Sequence, residues 1–203
     1  MSVTRELVQS VRRRVAESPG LLTAQLALEL NASEAEVITA LPLPMRKRAR
    51  VSDFTSIWNC MAGWKNVVVH PSAAVSGTLA RVRVEADVMP GPGLSFGALC
   101  NGESRLHTQR IVPDEGRFIE AMGSIWFVSL PLFNGESHSV RFFDKNGGHL
   151  LSIFLGRDHA GACDPLAKEE FDAMRERFGV TPVPRMHCRG CGSCTCCGTK
   201  HAH

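Results

Sequence analysis

Between residues 80 and 88 the chain alternates without a break. Ala80, Val82, Val84, Ala86 and Val88 fall on one side, and Arg81, Arg83, Glu85 and Asp87 on the other. A period of two places every apolar position on one strand face, which predicts an antiparallel strand with one side buried. Residues 125–130 form an apolar run rich in β-formers. Residues 139–143 and 149–155 flank Asp144 to Gly148, where Asn146, Gly147 and Gly148 supply the φ > 0 residues that a hairpin needs. In the second arm His149, Leu151, Ile153 and Leu155 are expected on one face and Leu150, Ser152 and Phe154 on the other. Residues 65–70 open the sheet, and residues 94–100, 105–112 and 118–122 read as further short strands.

A helical period marks the two ends. Val3, Leu7, Val11 and Val15 recur every four residues and predict a helix over 3–17, stopped by Pro19-Gly20. Residues 23–30 form a second short helix, and Asn31-Ala32 a turn. Ser33 with Glu36 three residues on is a capping box, opening a third helix that carries Val37, Ile38 and Leu41 until Pro42 and Pro44 end it. Arg46, Lys47, Arg48 and Arg50 read as a solvated linker. Residues 53–64 make an amphipathic helix, and 166–178 a closing helix with Phe171, Met174 and Phe178 on one side. Strands grouped together with helices at the ends argue for an α+β fold. The expectation is an antiparallel β-core, a split-barrel-like sheet, divided as residues 1–50 (N-terminal helical subdomain), 51–180 (β domain ending in a helix) and 181–203 (cysteine-rich tail).

Charge sharpens this division. Residues 1–50 carry eight Lys/Arg against five Asp/Glu, residues 51–180 twelve against fifteen, and residues 181–203 three against none. A mildly acidic core between two basic ends does not by itself imply nucleic acid. The three N-terminal helices with a tight second turn look like a helix-turn-helix, but Glu34 and Glu36 open the third helix, where they would repel phosphate. Packing of these helices on the sheet is the favoured reading, with a DNA-binding regulator as the lesser alternative. No apolar run reaches the ~18–20 residues needed to cross a bilayer. Arg5, Glu6 and Arg12 to Arg14 stand where a signal peptide would be apolar. The expectation is a cytoplasmic protein with reduced thiols. The chain has no nucleophile elbow, phosphate loop or spaced carboxylate pair, so no enzyme is expected.

Five of the eight cysteines fall within ten residues: Cys188, Cys191, Cys194, Cys196 and Cys197. Thiolates two residues apart can bite one soft ion, and Gly190, Gly192 and Gly198 let the chain wrap it. Zn2+ suits four thiolates tetrahedrally, and Cu(I) also prefers thiolate. The remaining Cys60, Cys100 and Cys163 read as ordinary core or edge residues.

The wording of several segments adds a resemblance. The hairpin FFDKNGGHLLSIFLGRD (142–158) is similar to the last hairpin of the HutX/ChuX family of cytosolic haem-utilisation carriers. Phe54-Thr-Ser-Ile-Trp58, Trp64-Lys-Asn-Val67, and residues 33–42 followed by Met45-Arg46 resemble the family in the same order and at about its spacing. The resemblance covers roughly residues 20–178. It implies a compact antiparallel β-core with helices at both ends, usually a homodimer, that binds haem reversibly at the sheet surface and hands it to an acceptor protein. The implied function is a cytosolic haem-binding carrier in haem utilisation and iron acquisition, not an enzyme. The alternative is a metal-trafficking or metal-storage protein on the same scaffold.

The chain departs from the family at its histidines. Residues 95–100 lack the histidine of an H-G-M-Y-N-L-like motif, and the G-H position is matched by Gly116-Arg117. His70 matches the first family histidine, and His107 is the candidate replacement. Arg117, with Arg105 and Arg110, is a candidate partner for the haem propionates. His138 and His149 are expected to face solvent. The chain has no tyrosine, so an iron donor would be His, Cys or Met.

Overall fold

The N-terminal helices form where pattern and caps place them. In this computed structural model, which describes residues 3–18, 20–61, 64, 66–71, 82–85, 95–99, 106–110, 115–132, 135–157 and 162–180, they are α1 (Arg5–Glu17), α2 (Thr23–Glu29) and α3 (Glu34–Ala40). The Thr4 hydroxyl accepts the Leu7 N–H at 3.2 Å and starts α1. Ser33 Oγ accepts the Glu36 N–H at 3.3 Å while the Glu36 carboxylate accepts the Ser33 N–H at 3.0 Å, so the predicted capping box is closed in both directions. Asn31 turns the chain between α2 and α3 with φ 49°, a left-handed conformation that Asn tolerates.

After a 3-10 turn at Leu43–Met45 the chain enters β1 (Arg46–Ala49). This corrects the reading of the basic run as a linker. β1 lies between two strands of the sheet, and its charges alternate across it. A second 3-10 turn (Val51–Asp53) leads into α4 (Phe54–Met61). Then come β2 (Asn66–Pro71), β3 (Val82–Glu85), β4 (Ser95–Leu99), β5 (Leu106–Arg110), α5 (Glu115–Ala121), β6 (Met122–Leu132), β7 (Gly135–Asp144), β8 (His149–Leu155), α6 (Pro165–Phe178) and β9 (Gly179–Val180). Helix α5 replaces the strand expected at 118–122. The seven-residue segment holds Phe118 and Ile119 at a spacing too short to fix a period, and here Phe118 packs under the sheet as a helical residue.

Seven strands form one sheet in the order β3-β2-β8-β7-β6-β1-β9, every neighbouring pair antiparallel; β4 and β5 pair as a separate ribbon. This is the predicted antiparallel α+β architecture. The Asp144 carboxylate closes the β7–β8 turn by accepting the N–H groups of Asn146 (2.7 Å) and Gly148 (2.8 Å), and Gly147 supplies φ 88°.

The sheet is buried on both faces. Phe54, Trp58, Trp64, Val67, Val69, Phe118, Phe127, Val140, Phe142, Leu151, Ile153 and Phe171 form the core beneath α4, α5 and α6. Trp126, Val128, Leu130 and Phe143 meet Val11, Leu26, Val37, Ile38 and Leu41 of the N-terminal helices on the opposite face. Removing one of these large side chains costs roughly 2–5 kcal/mol. Helices α1–α3 are therefore a layer of the folded structure, as the packing reading requires. Four of the seven α3 residues, Ala35, Val37, Ile38 and Ala40, are turned into that layer.

Candidate functional site

A one-residue bulge re-aims the best-placed histidine. Leu151 of β8 pairs with Phe142, but His149 pairs with Phe143, so the register slips around Leu150. Phe142 and Phe143 face opposite ways, and His149 follows Phe143. This corrects the expectation that His149 shares a face with Leu151, and it corrects its placement in solvent. The ring lies 5.8 Å from that of Phe143 and its Nε2 is 2.7 Å from Ser152 Oγ.

His70 arrives on the same face from the neighbouring strand. Val67 and Val69 of β2 point into the core under α4, so Val68 and His70 point the other way, and His70 pairs with Ser152 across the ladder. The rings of His70 and His149 stack at 5.2 Å between centres with 31° between planes. His70 is partly exposed. Burial drives the His149 pKa down to about 4; His70 and Arg141 add to the shift and Glu34 opposes it. His149 is thus a neutral imidazole at neutral pH. Side by side on one face, the two rings leave no gap for a planar macrocycle between them. A single imidazole can reach an iron here, with the second ring as its neighbour.

Beneath this pair lies a buried guanidinium. Arg141 of β7 is 5% exposed and sits across from Ser152. It donates to Ser139 Oγ at 3.0 Å, to the Thr23 hydroxyl, and to Glu34 Oε1 at 2.8 Å; Thr23 in turn donates to Glu34 at 2.5 Å. Its carbon lies 5.2 Å from the centre of the Phe154 ring. Burial pulls the Arg141 pKa down, and the Glu34 carboxylate opposes it. Glu34, read from the sequence as an exposed acid that would repel phosphate, is instead the counter-charge of this buried arginine.

His138 is also corrected. It is 3% exposed on the opposite sheet face, with its ring 5.3 Å from Phe171 and Nδ1 3.0 Å from Ser129 Oγ. Burial first, then the charge of Lys168, lowers its pKa. It belongs to the packing of α6.

Two other predicted residues lie on other elements of the fold. His107 is on β5 of the separate ribbon, opposite Ala98. Arg117 is on α5, which packs through Phe118 under the sheet face opposite His70. Arg105, Cys100 and the tail residues Cys188, Cys191, Cys194, Cys196 and Cys197 lie outside the described residues. Among the described residues no three His, Cys, Asp or Glu side chains gather as metal ligands, and no helix is long and apolar enough to cross a membrane. Sequence reasoning missed Arg141 and the pairing of His149 with His70. The one available signal for Arg141 was a single charge at a covered strand position between Val140 and Phe142; nothing local marks its partner 107 residues away.

Comparison with known proteins bears on the family and the fold. The family described as "Haem utilisation ChuX/HutX" matches residues 47–174. The chain is 26% identical over 174 residues to "Intracellular heme transport protein HutX" of Vibrio cholerae serotype O1, covering 84% of this chain and 83% of that protein. Its fold is similar to that in the "Structure of the Heme Binding Protein ChuX", with a TM-score of 0.60 at 19% identity over 83% of this chain and 98% of the other. It also matches half of the Escherichia coli O157:H7 heme degrading enzyme ChuS, with a TM-score of 0.57 at 12% identity over 85% of this chain and 49% of that one. The family match spans more than half of the chain, and its ends fall inside the sheet and the closing helix described above. The chain belongs to the haem utilisation ChuX/HutX family.

Proposed function

We propose that this protein is a cytoplasmic haem carrier of haem utilisation and iron acquisition, a binding protein and not an enzyme, which holds haem as cargo on the face formed by β2 and β8. The observation that carries this reading is the His70–His149 pair. A partly exposed imidazole stands beside a neutral, hydrogen-bonded one, next to the half-buried apolar Val68 and Phe154. Haem binding needs an apolar surface for the porphyrin and a nitrogen donor for iron. His70 is the donor in this reading. His149 is tied to Ser152 and forms a wall against the macrocycle. His107 and a second copy of the chain in a homodimer are further contributors, and the cargo passes to an acceptor protein.

Burying the porphyrin is the larger share of affinity, and one imidazole bond the smaller. In full-length protein with the five tail cysteines changed to serine, haem should titrate to saturation at one site with a Soret band. His70→Ala should move the band and weaken binding by about tenfold, or about 1.4 kcal/mol. No saturable titration would sink the reading. An unchanged spectrum in His70→Ala, His107→Ala and the double variant would remove both histidines as ligands and leave a sulfur donor or slot binding alone.

The tail supports a second activity on the same scaffold. The spacing of Cys188, Cys191, Cys194, Cys196 and Cys197 suits one Zn2+ or Cu(I) ion held by thiolates, as a trafficking or storage site.

A further inference from the structure

Three cations gather at the other end of the N-terminal sheet face. Arg46 and Arg48 are two residues apart on β1 and share that face, with their guanidinium carbons 5.4 and 5.9 Å from the centre of the Trp126 ring. Arg46 Nε donates to the Leu41 carbonyl at 2.9 Å, and Arg48 donates to the Gly123 carbonyl at 3.3 Å. The Trp126 ring is itself pinned, with Nε1 donating to Ser124 Oγ at 3.2 Å. Arg12 of α1 is near enough for its charge to act on Arg46.

Four cations among the described residues have carboxylate partners: Arg14 with Glu29, Lys47 with Glu176, Arg141 with Glu34, and Lys168 with Asp172. Arg12, Arg46 and Arg48 form no ion pair with any described carboxylate. Arg46 is only partly exposed, and both its burial and Arg12 work against its charge. The fold thus holds a guanidinium in a fixed orientation, beside two others, with no protein anion to offset them.

We propose that Arg46 and Arg48, ordered over Trp126, with Arg12 on the neighbouring helix, form a binding site for the phosphate group of a small phosphomonoester. Guanidinium groups present planar forks of N–H donors that match oxyanions two bonds at a time. Three cations approaching from two elements suit a tetrahedral dianion with three accepting oxygens better than a carboxylate with one charge and two oxygens. Haem propionates at the His70 face are not the ligand. β1 and β2 are four strand spacings apart in the sheet, roughly 19 Å, and the Trp126–Val128–Phe143 layer under α1–α3 lies between them. The inference therefore stands independently of haem binding.

The test is calorimetric titration of the full-length haem-free chain with inorganic phosphate, glycerol phosphate and acetate at one ionic strength. Saturable one-site binding of the first two is expected, with acetate at least tenfold weaker. Equal affinity for phosphate and its ester means that the phosphate alone is read; a tighter ester means that its organic part also makes contact. Arg46→Gln and Arg48→Gln should each weaken phosphate at least tenfold, while Arg177→Gln on α6 and His70→Ala should leave it unchanged. If circular dichroism shows that Arg46→Gln does not fold, Arg48→Gln decides by the same threshold. The proposal is overturned by an unsaturable phosphate titration, by acetate binding equally well, by unchanged affinity in the arginine variants, or by binding of duplex DNA where phosphate fails.

Discussion

His149 is neutral because its surroundings disfavour the cation, and this makes the fold acid-sensitive at one position. Its folded-state pKa of about 4 lies below the ordinary 6.5. Between these values the unfolded chain binds a proton that the folded chain refuses. Stability is therefore full above about pH 6.5, falls as pH drops through the window, and levels off below about pH 4. From pH 6.5 to 5 the loss is at most about 2 kcal/mol. Glu29, Glu36 and Glu176, whose pKa values are lowered, lose their contributions only at more acidic pH. In urea unfolding at pH 7 and pH 5, His149→Phe should shrink the stability difference by up to that amount, leaving the share of His138, which is shifted in the same direction. An unchanged difference would mean that His149 is not neutral and buried in the folded state. This residue also marks the limit of periodicity. Strict alternation assigns it to the face of Leu151, and one extra residue at Leu150 reverses the assignment. Between Val67 and His70 nothing breaks the alternation, so the face of His70, singled out by its match to the family, follows directly from the pattern.

At the scale of elements, α3 is held by its cap at one end and by Arg141 at its side. Ser33→Ala opens the capping box and should destabilise the protein by about 1 kcal/mol in chemical denaturation. Glu34→Ala is expected to be far more damaging, about 3–5 kcal/mol, because it leaves Arg141 charged and buried without a partner. The double change Glu34→Leu/Arg141→Met should recover most of that loss, since it removes both charges together. A double variant as unstable as Glu34→Ala alone would mean that packing, not charge, is what matters there. The cap could be read from four adjacent residues; the ion pair could not, because it joins α3 to β7 across the molecule. Two other elements escaped for local reasons. β1 carries Arg46, Lys47 and Arg48, charges that outweigh β-propensity in any window. α5 is short enough for either period to fit.

At the scale of the whole molecule, an antiparallel sheet with helices at both ends of the chain was legible from grouped strands and terminal helices, while the strand order and the packing of helices on both faces were not. β1 precedes most of the sheet in sequence yet sits between β6 and β9. The five tail cysteines lie outside the described residues, and their spacing predicts a property of its own. Metal measured by elemental analysis of the full-length protein should fall sharply when Cys188, Cys191, Cys194, Cys196 and Cys197 are all changed to serine, with haem titration unaffected. Equal metal content in the two proteins would remove the tail as a site.

The position of β1 has a consequence for how the protein is made. Arg48 and Ala49 pair with Val180 and Gly179, and the same strand pairs with residues 125–128. The N-terminal helices bury their apolar side on Trp126, Val128, Leu130 and Phe143. As the chain leaves the ribosome, residues 5–41 therefore have only one another, and no sheet, to pack against until the central strands have been synthesised. Contacts this distant in sequence form slowly. The waiting segment exposes Val11, Leu26, Val37, Ile38 and Leu41 during that interval, which makes it the part of the nascent chain most dependent on chaperone cover.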